Sequence, residues 1–168
     1  MRRYLVLDGY NIIGALPRYA TRSTGSLDAS RELLVGDALR AAGWTGQEII
    51  VVFDASRSPE PGRTELRAGG AVRVIYSAPN ESADDAIERL VRSWSGSFTV
   101  CTADFTLQRT VLALGAARST PREFEALLDE LPALTRTPDV SFRARVAERL
   151  PSEVIRSLEE FRRRPEDH

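Results

Sequence analysis

Acidic residues recur along this chain where an α/β protein would use them for phosphate chemistry. Asp8 directly follows the apolar run 4–7 and Asp54 directly follows the run 49–53. Glu81, Asp84 and Asp85 come shortly after the run 72–76, and Asp104 lies just beyond the run 98–102. If the four runs are parallel strands of one open sheet, their carboxyl ends share the edge where ligand crevices form. On a helix turning ~100° per residue, Glu81, Asp84, Asp85 and Glu88 occupy one face, away from the stripe of Ala83, Ile87 and Leu90. Carboxylates gathered in this way repel, by ~4 kcal/mol per pair at 4 Å and an effective dielectric near 20. Such a cluster calls for shared protons or a divalent cation. Mg2+ or Mn2+ is expected, because both take oxygen ligands and Mg2+ commonly joins carboxylates to phosphate. In phosphodiester hydrolysis such an ion orients and deprotonates water and neutralises charge on the attacked phosphate. Taken singly, each acid also has a plainer role open to it, as a turn residue, a helix N-cap or a partner of the helix dipole.

Other chemistry is largely excluded. There is no Lys, since all 23 Lys-plus-Arg residues are Arg; the one His is the last residue, His168, and the one Cys is Cys101. These counts remove the P-loop lysine, Schiff bases, His-paired nucleophiles, multi-His metal sites, Cys-based zinc sites and intramolecular disulfides. A haloacid-dehalogenase phosphatase needs a second Asp where Tyr10 stands. Both it and a receiver domain need a Lys that this chain lacks. Cys101, inside an apolar run, reads as a buried packing thiol.

The four apolar runs are nearly continuous, as in parallel strands covered on both faces. Helical patterns occupy 27–42, 81–94 and 106–114. Thr120-Pro121-Arg122-Glu123 is a capping box with Pro at the first helical position, which opens a helix to about residue 131. Residues 116–118 suggest a short fifth strand. The alternation predicts an α/β fold with a mainly parallel sheet. Residues 56–70 hold two Pro and three Gly without periodicity and read as an exposed loop. Pro132, Pro138 and Pro151 then punctuate an Arg-rich stretch. The expected organisation is one domain over 1–134 and an extension over 135–168 that ends in a helix at about 152–164. The net charge of −1 gives no global basic field. No apolar run is long enough to span a membrane, and the run 4–7 is too short for a signal peptide. With a lone thiol, a cytoplasmic location is expected.

Asp8-Gly9-Tyr10-Asn11-Ile12-Ile13-Gly14 after an apolar strand resembles the opening signature of NYN domains, a branch of the PIN-like nucleases. Val51-Val52-Phe53-Asp54-Ala55 resembles their second strand. Asn80-Glu81-Ser82-Ala83-Asp84-Asp85 and Thr102-Ala103-Asp104-Phe105-Thr106 resemble the third and fourth blocks. Gly115-Ala116-Ala117-Arg118 and the ending Phe161-Arg162-Arg163-Arg164 fit the YacP type. The resemblance covers essentially the whole chain. It implies a PIN-like three-layer fold with a C-terminal helical extension. It also implies a metal-dependent endoribonuclease acting on single-stranded RNA, since the YacP type includes a ribosome-associated enzyme that cleaves mRNA in the ribosomal A site. On this resemblance Asp8, Asp84 and Asp104 are the catalytic and metal-binding acids, Asp54 is a fourth acid, and Glu81 is a further candidate ligand. Asn11 would orient Asp8 or a phosphate.

With no Lys present, RNA contacts fall to Arg. Arg118 and Arg122 are candidates for phosphate oxygens, with solvated ion pairs as the equal alternative. Arg162, Arg163 and Arg164 are candidates for ribosomal RNA, or a solvated end. Trp44 reads as core edge, with a base-stacking platform as the alternative. The expected partners are RNA and the ribosome, with a monomer favoured. Two other functions stay open: an RNA- or ribosome-binding module with little catalysis, and a small phosphatase or phosphodiesterase.

Overall fold

A computed structural model describes residues 1–57 and 60–131, with Arg57 as backbone only. The strands are β1 (Arg3–Asp8), β2 (Glu48–Phe53), β3 (Thr64–Arg67), β4 (Val72–Tyr76), β5 (Ser97–Cys101) and β6 (Ala117–Ser119). They form one sheet in the order β3-β4-β2-β1-β5-β6, with every neighbouring pair parallel except β3 with β4. The helices are α1 (Gly9–Ala15), α2 (Thr21–Thr24), α3 (Leu27–Thr45), α4 (Ala83–Ser93), α5 (Phe105–Ala113) and α6 (Pro121–Glu130).

The continuous apolar runs follow from burial on both faces. Leu5, Leu7, Ile49, Val51 and Phe53 pack beneath residues of α1, α3 and α6, including Ile12, Leu34, Ala38 and Phe124. Tyr4, Val6, Ile50 and Val52 point the other way, onto Ala86, Ile87, Leu90, Leu107 and Val111 of α4 and α5. The result is three layers, with the sheet between two sets of helices. Helix ends are fixed by local chemistry. Ser26 caps α3 through the Ala29 N–H, while Ser82 with Asp85 and Thr120 with Glu123 form capping boxes at α4 and α6.

Two segments depart from the sequence pattern. The expected loop over 56–70 contains β3, antiparallel to β4, between single 3-10 turns at Ala55–Arg57 and Ala68–Gly70. This edge strand alternates exposed and half-buried residues, and Leu66 is exposed, so it lacks the apolar run of a covered strand. Helix α1 also has no counterpart in the pattern, because seven residues with two glycines are too short to display a helical period. Gly9 has a steric reason: a Cβ there would lie 2.4 Å from the Phe53 ring and 2.9 Å from the Val52 carbonyl oxygen. Cys101 is fully buried in β5, and burial pushes its thiol up to about 12, as expected of a packing residue.

The compact unit described runs Met1–Leu131. The expected extension over 135–168, its helix at 152–164 and Arg162, Arg163 and Arg164 lie outside the described residues. Among the described residues no helix is long and apolar enough to cross a membrane.

Candidate active site

At the carboxyl ends of β1, β2 and β5 lies an open hollow of about 420 Å³. Asp8, Asp54, Asp84 and Asp104 all line it, together with Tyr10, Asn11, Ser56, Ser82 and Ala83. Asp8 ends β1, Asp54 follows β2, Asp84 sits in the first turn of α4, and Asp104 is the N-cap of α5. Parallel topology gives these positions a common edge, and the end of β1 and the segments that follow β2, β4 and β5 each deliver one acid there.

Their surroundings differ. Asp8 is only 5% exposed, and its Oδ2 accepts the Thr102 hydroxyl at 2.8 Å. Burial raises its carboxyl from the ordinary 3.8 to about 6; Asp84 and Asp104 add to the rise, while the Thr102 hydroxyl and the Asn11 N–H oppose it. Asp84 is half-buried and accepts no hydrogen bond among the described residues. Burial first, then Asp104, Asp85, Glu88 and Asp54, hold its carboxyl above the usual range. One Asp104 oxygen caps α5 through the Leu107 N–H at 3.0 Å. Asp54 accepts from the Ser56 N–H at 2.8 Å and the Ser56 hydroxyl through one oxygen, and from the Ala83 N–H at 3.3 Å through the other. It therefore ties the end of β2 to the start of the helix that carries Asp84.

The structure brings Asn11 into the hollow, where its side-chain oxygen accepts the Ala103 N–H at 2.6 Å and pins the turn before Asp104. It does not bring in Glu81. That carboxylate accepts from Arg89 at 2.9 and 3.2 Å and from the Ala78 N–H at 2.9 Å, and the Arg89 bonds chiefly lower it below the usual range. Arg118 and Arg122 are exposed on β6 and α6, outside the lining of the hollow. Trp44 is 58% exposed rather than at a core edge. It lies near the end of α3, just before β2 begins, and so at the amino edge of the sheet opposite the acids.

Several side-chain roles at the site could not be read from the sequence. Thr102 donates to Asp8 and accepts the Asp104 N–H at 3.0 Å, so one hydroxyl links two of the acids. Buried Gln108 donates to the Thr102 carbonyl at 2.7 Å and accepts from Arg118 at 3.1 Å, which connects that guanidinium to the turn. Tyr10 lines the hollow, and its hydroxyl accepts from the buried Arg31 at 2.7 Å. Thr102 stands in the recognisable fourth block, but only the folded geometry shows which acid its hydroxyl serves.

Among the described residues no three side chains close into a ready metal cage. The donor set nonetheless suits Mg2+ or Mn2+. All four acids offer oxygen, two are raised in proton affinity by burial and, to a lesser degree, by neighbouring carboxylates, and the hollow is open. Mg2+ keeps several waters and is commonly held by one or two carboxylates together with substrate phosphate. Asp8 and Asp84 are the residues most in need of a counter-charge.

Comparisons with known proteins identify relatives of this chain. The family model described as YacP-like NYN domain matches residues 5–163. YacP of Bacillus subtilis strain 168 is 32% identical over 168 residues, covering 95% of this chain and 96% of its own. The crystal structure of Rae1 (YacP) from Bacillus subtilis superposes with a TM-score of 0.61 at 29% identity, covering 95% of this chain and 94% of that one. The crystal structure of a mutant of the same Bacillus subtilis protein gives 0.63 at 32% identity, covering 77% of this chain and 76% of that one.

Proposed function

The chain belongs to the YacP-like NYN domain family, a PIN-like nuclease domain, and from that membership we propose that it is a divalent-metal-dependent endoribonuclease cutting single-stranded RNA. The substrate to which the family resemblance points is mRNA in the ribosomal A site. The observation that carries the reading is the shared hollow: Asp8, Asp84 and Asp104 arrive from three separate strand-to-helix turns, and two of them are electrostatically strained by the others.

Bound Mg2+ or Mn2+ would supply a nucleophilic water at neutral pH and neutralise charge on the attacked phosphate. Asp8 and Asp84 would hold it, and Asp104 would complete the set with the oxygen not used in capping α5. Thr102 fixes the orientation of Asp8, so the carboxylate does not have to be ordered when substrate arrives. Asn11 and Asp54 set the two turns that aim Asp104 and Asp84. Arg118 and Arg122 would contact phosphates further along the strand. The near-neutral chain makes intrinsic RNA affinity weak and salt-sensitive. A ribosome holding mRNA single-stranded would compensate by positioning the substrate.

A second reading is an RNA- or ribosome-binding module with little catalysis. It is favoured by one observation: Asp54 and Asp104 already serve as structural acceptors. Cleavage of 5′-labelled mRNA on stalled ribosomes separates the two. The nuclease reading expects cutting that needs Mg2+ or Mn2+, stops with EDTA and is lost in Asp8→Asn and Asp84→Asn. Ribosome co-sedimentation without any cutting leaves the binding module. Rapid cutting of naked RNA with no co-sedimentation at low salt removes the ribosome from the account.

A further inference from the structure

The arginines of the described chain differ in what neutralises them. On the β3, β4 and α4 side four of them are ion-paired, Arg63 and Arg67 with Glu65, Arg89 with Glu81, and Arg92 with Glu88, while Arg73 lies over the Trp94 ring. On the other flank of the acid hollow, Arg109 of α5 and Arg122 of α6 are exposed and form no ion pair among the described residues. Between them in sequence, Arg118 donates to the neutral Gln108.

Phe105 heads the same flank. It is 71% exposed and stands one residue beyond Asp104, at the first position of α5. Phe105 and Arg109 are four residues apart on that helix and share a face, with Cβ atoms about 5–6 Å from each other. An exposed aromatic ring beside a phosphate-cleaving site, with a free guanidinium one turn away, offers the two elements of sequence-tolerant single-strand binding. These are a π-face for a base and a cation for the backbone. Trp44 lacks this setting, because it lies at the amino edge of the sheet.

We propose that single-stranded RNA leaves the acid hollow across α5, with Phe105 stacking the base next to the cleaved phosphate and Arg109 pairing with a neighbouring phosphate. This deepens the nuclease reading and rests on it.

The test uses the full chain and an eight-nucleotide single-stranded RNA carrying 2-aminopurine, titrated at low salt with Mg2+. Stacking on Phe105 quenches the fluorophore. Phe105→Ala and Phe105→Leu are expected to abolish the quench and weaken binding by at least about fivefold, the lower end for loss of one base–aromatic stack. Phe105→Trp should retain both. Arg109→Gln should lower affinity and reduce the slope of log affinity against log salt by about one. Wild-type-like binding and quenching by Phe105→Ala overturns the proposal, as does absence of binding by the wild-type chain. A fall of several degrees in the melting temperature of Phe105→Ala also overturns it, by showing that protein covers the ring. The nuclease reading is decided separately, by metal-dependent cutting on ribosomes and its loss in Asp84→Asn.

Discussion

Replacing Asp8 with Asn should stabilise the metal-free protein at neutral pH, and the gain should disappear in acid. The Asp8 carboxyl is 5% exposed, and burial, with smaller contributions from Asp84 and Asp104, lifts it from 3.8 to about 6. At 1.36 kcal/mol for each power of ten in proton affinity, its ionisation costs the folded chain about 3 kcal/mol more than the unfolded chain. Below 3.8 the carboxyl is neutral in both states and this cost is absent. As pH climbs from 3.8 to about 6 the unfolded chain releases its proton first, so stability falls; above that window the loss is complete and constant. Asn is neutral throughout, and its carbonyl can still accept the Thr102 hydroxyl. Seating the extra N–H groups costs about 1 kcal/mol. The net expectation at pH 7.5 is a gain of about 2 kcal/mol, or roughly 4–8 °C in Tm for a chain of this length. At pH 4 the gain becomes a small deficit. Thermal unfolding in EDTA from pH 4 to 8 reads this directly. Mg2+ should then raise the Tm of the wild type and leave Asp8→Asn nearly unmoved. A variant less stable than wild type at pH 7.5, or a difference that does not vary with pH, would refute the reasoning that Asp8 is strained by burial and charge.

Three further outcomes follow from named contacts. Thr102→Val removes a donor that favours the ionised form of Asp8, so its carboxyl rises further; Mg2+-dependent stabilisation should weaken more at pH 6 than at pH 8, measured by thermal shift. Glu81→Gln breaks the Arg89 pair at a partly exposed site outside the hollow, so the ribosome-dependent cleavage rate should stay within about threefold of wild type and stability within about 1 kcal/mol. A loss of cleavage as large as in Asp84→Asn would return Glu81 to the metal site. Gly9→Ala forces a methyl against Phe53 and the Val52 carbonyl and should cost about 1–3 kcal/mol in urea unfolding, with no pH dependence between 5 and 8.

Some features of the fold are encoded locally and others are not. Strands β1, β2, β4 and β5 were legible because a strand covered on both faces is apolar at most positions, and that leaves a nearly continuous run in the sequence. Helix α4 was legible from the helical spacing of Ala83, Ile87 and Leu90, and α6 from a cap that acts within four residues, Thr120 with Glu123. The convergence of Asp8, Asp54, Asp84 and Asp104 was legible because parallel topology alone places strand ends on one edge. Strand β3 was not, since an exposed edge strand is specified by its pairing with β4 rather than by its own composition. Nor were the separate fates of equally acidic residues. Glu81 and Asp84 are three positions apart, yet one is held by Arg89 and the other faces the hollow unbonded, and a helical wheel does not reveal which cation reaches which carboxylate. Exposure of Phe105 and Trp44, and the bond from Thr102 to Asp8 across 94 residues, are likewise products of packing. Periodicity and caps are encoded over a few neighbouring residues, whereas burial, and the proton affinities that depend on it, arise only when distant segments exclude water together.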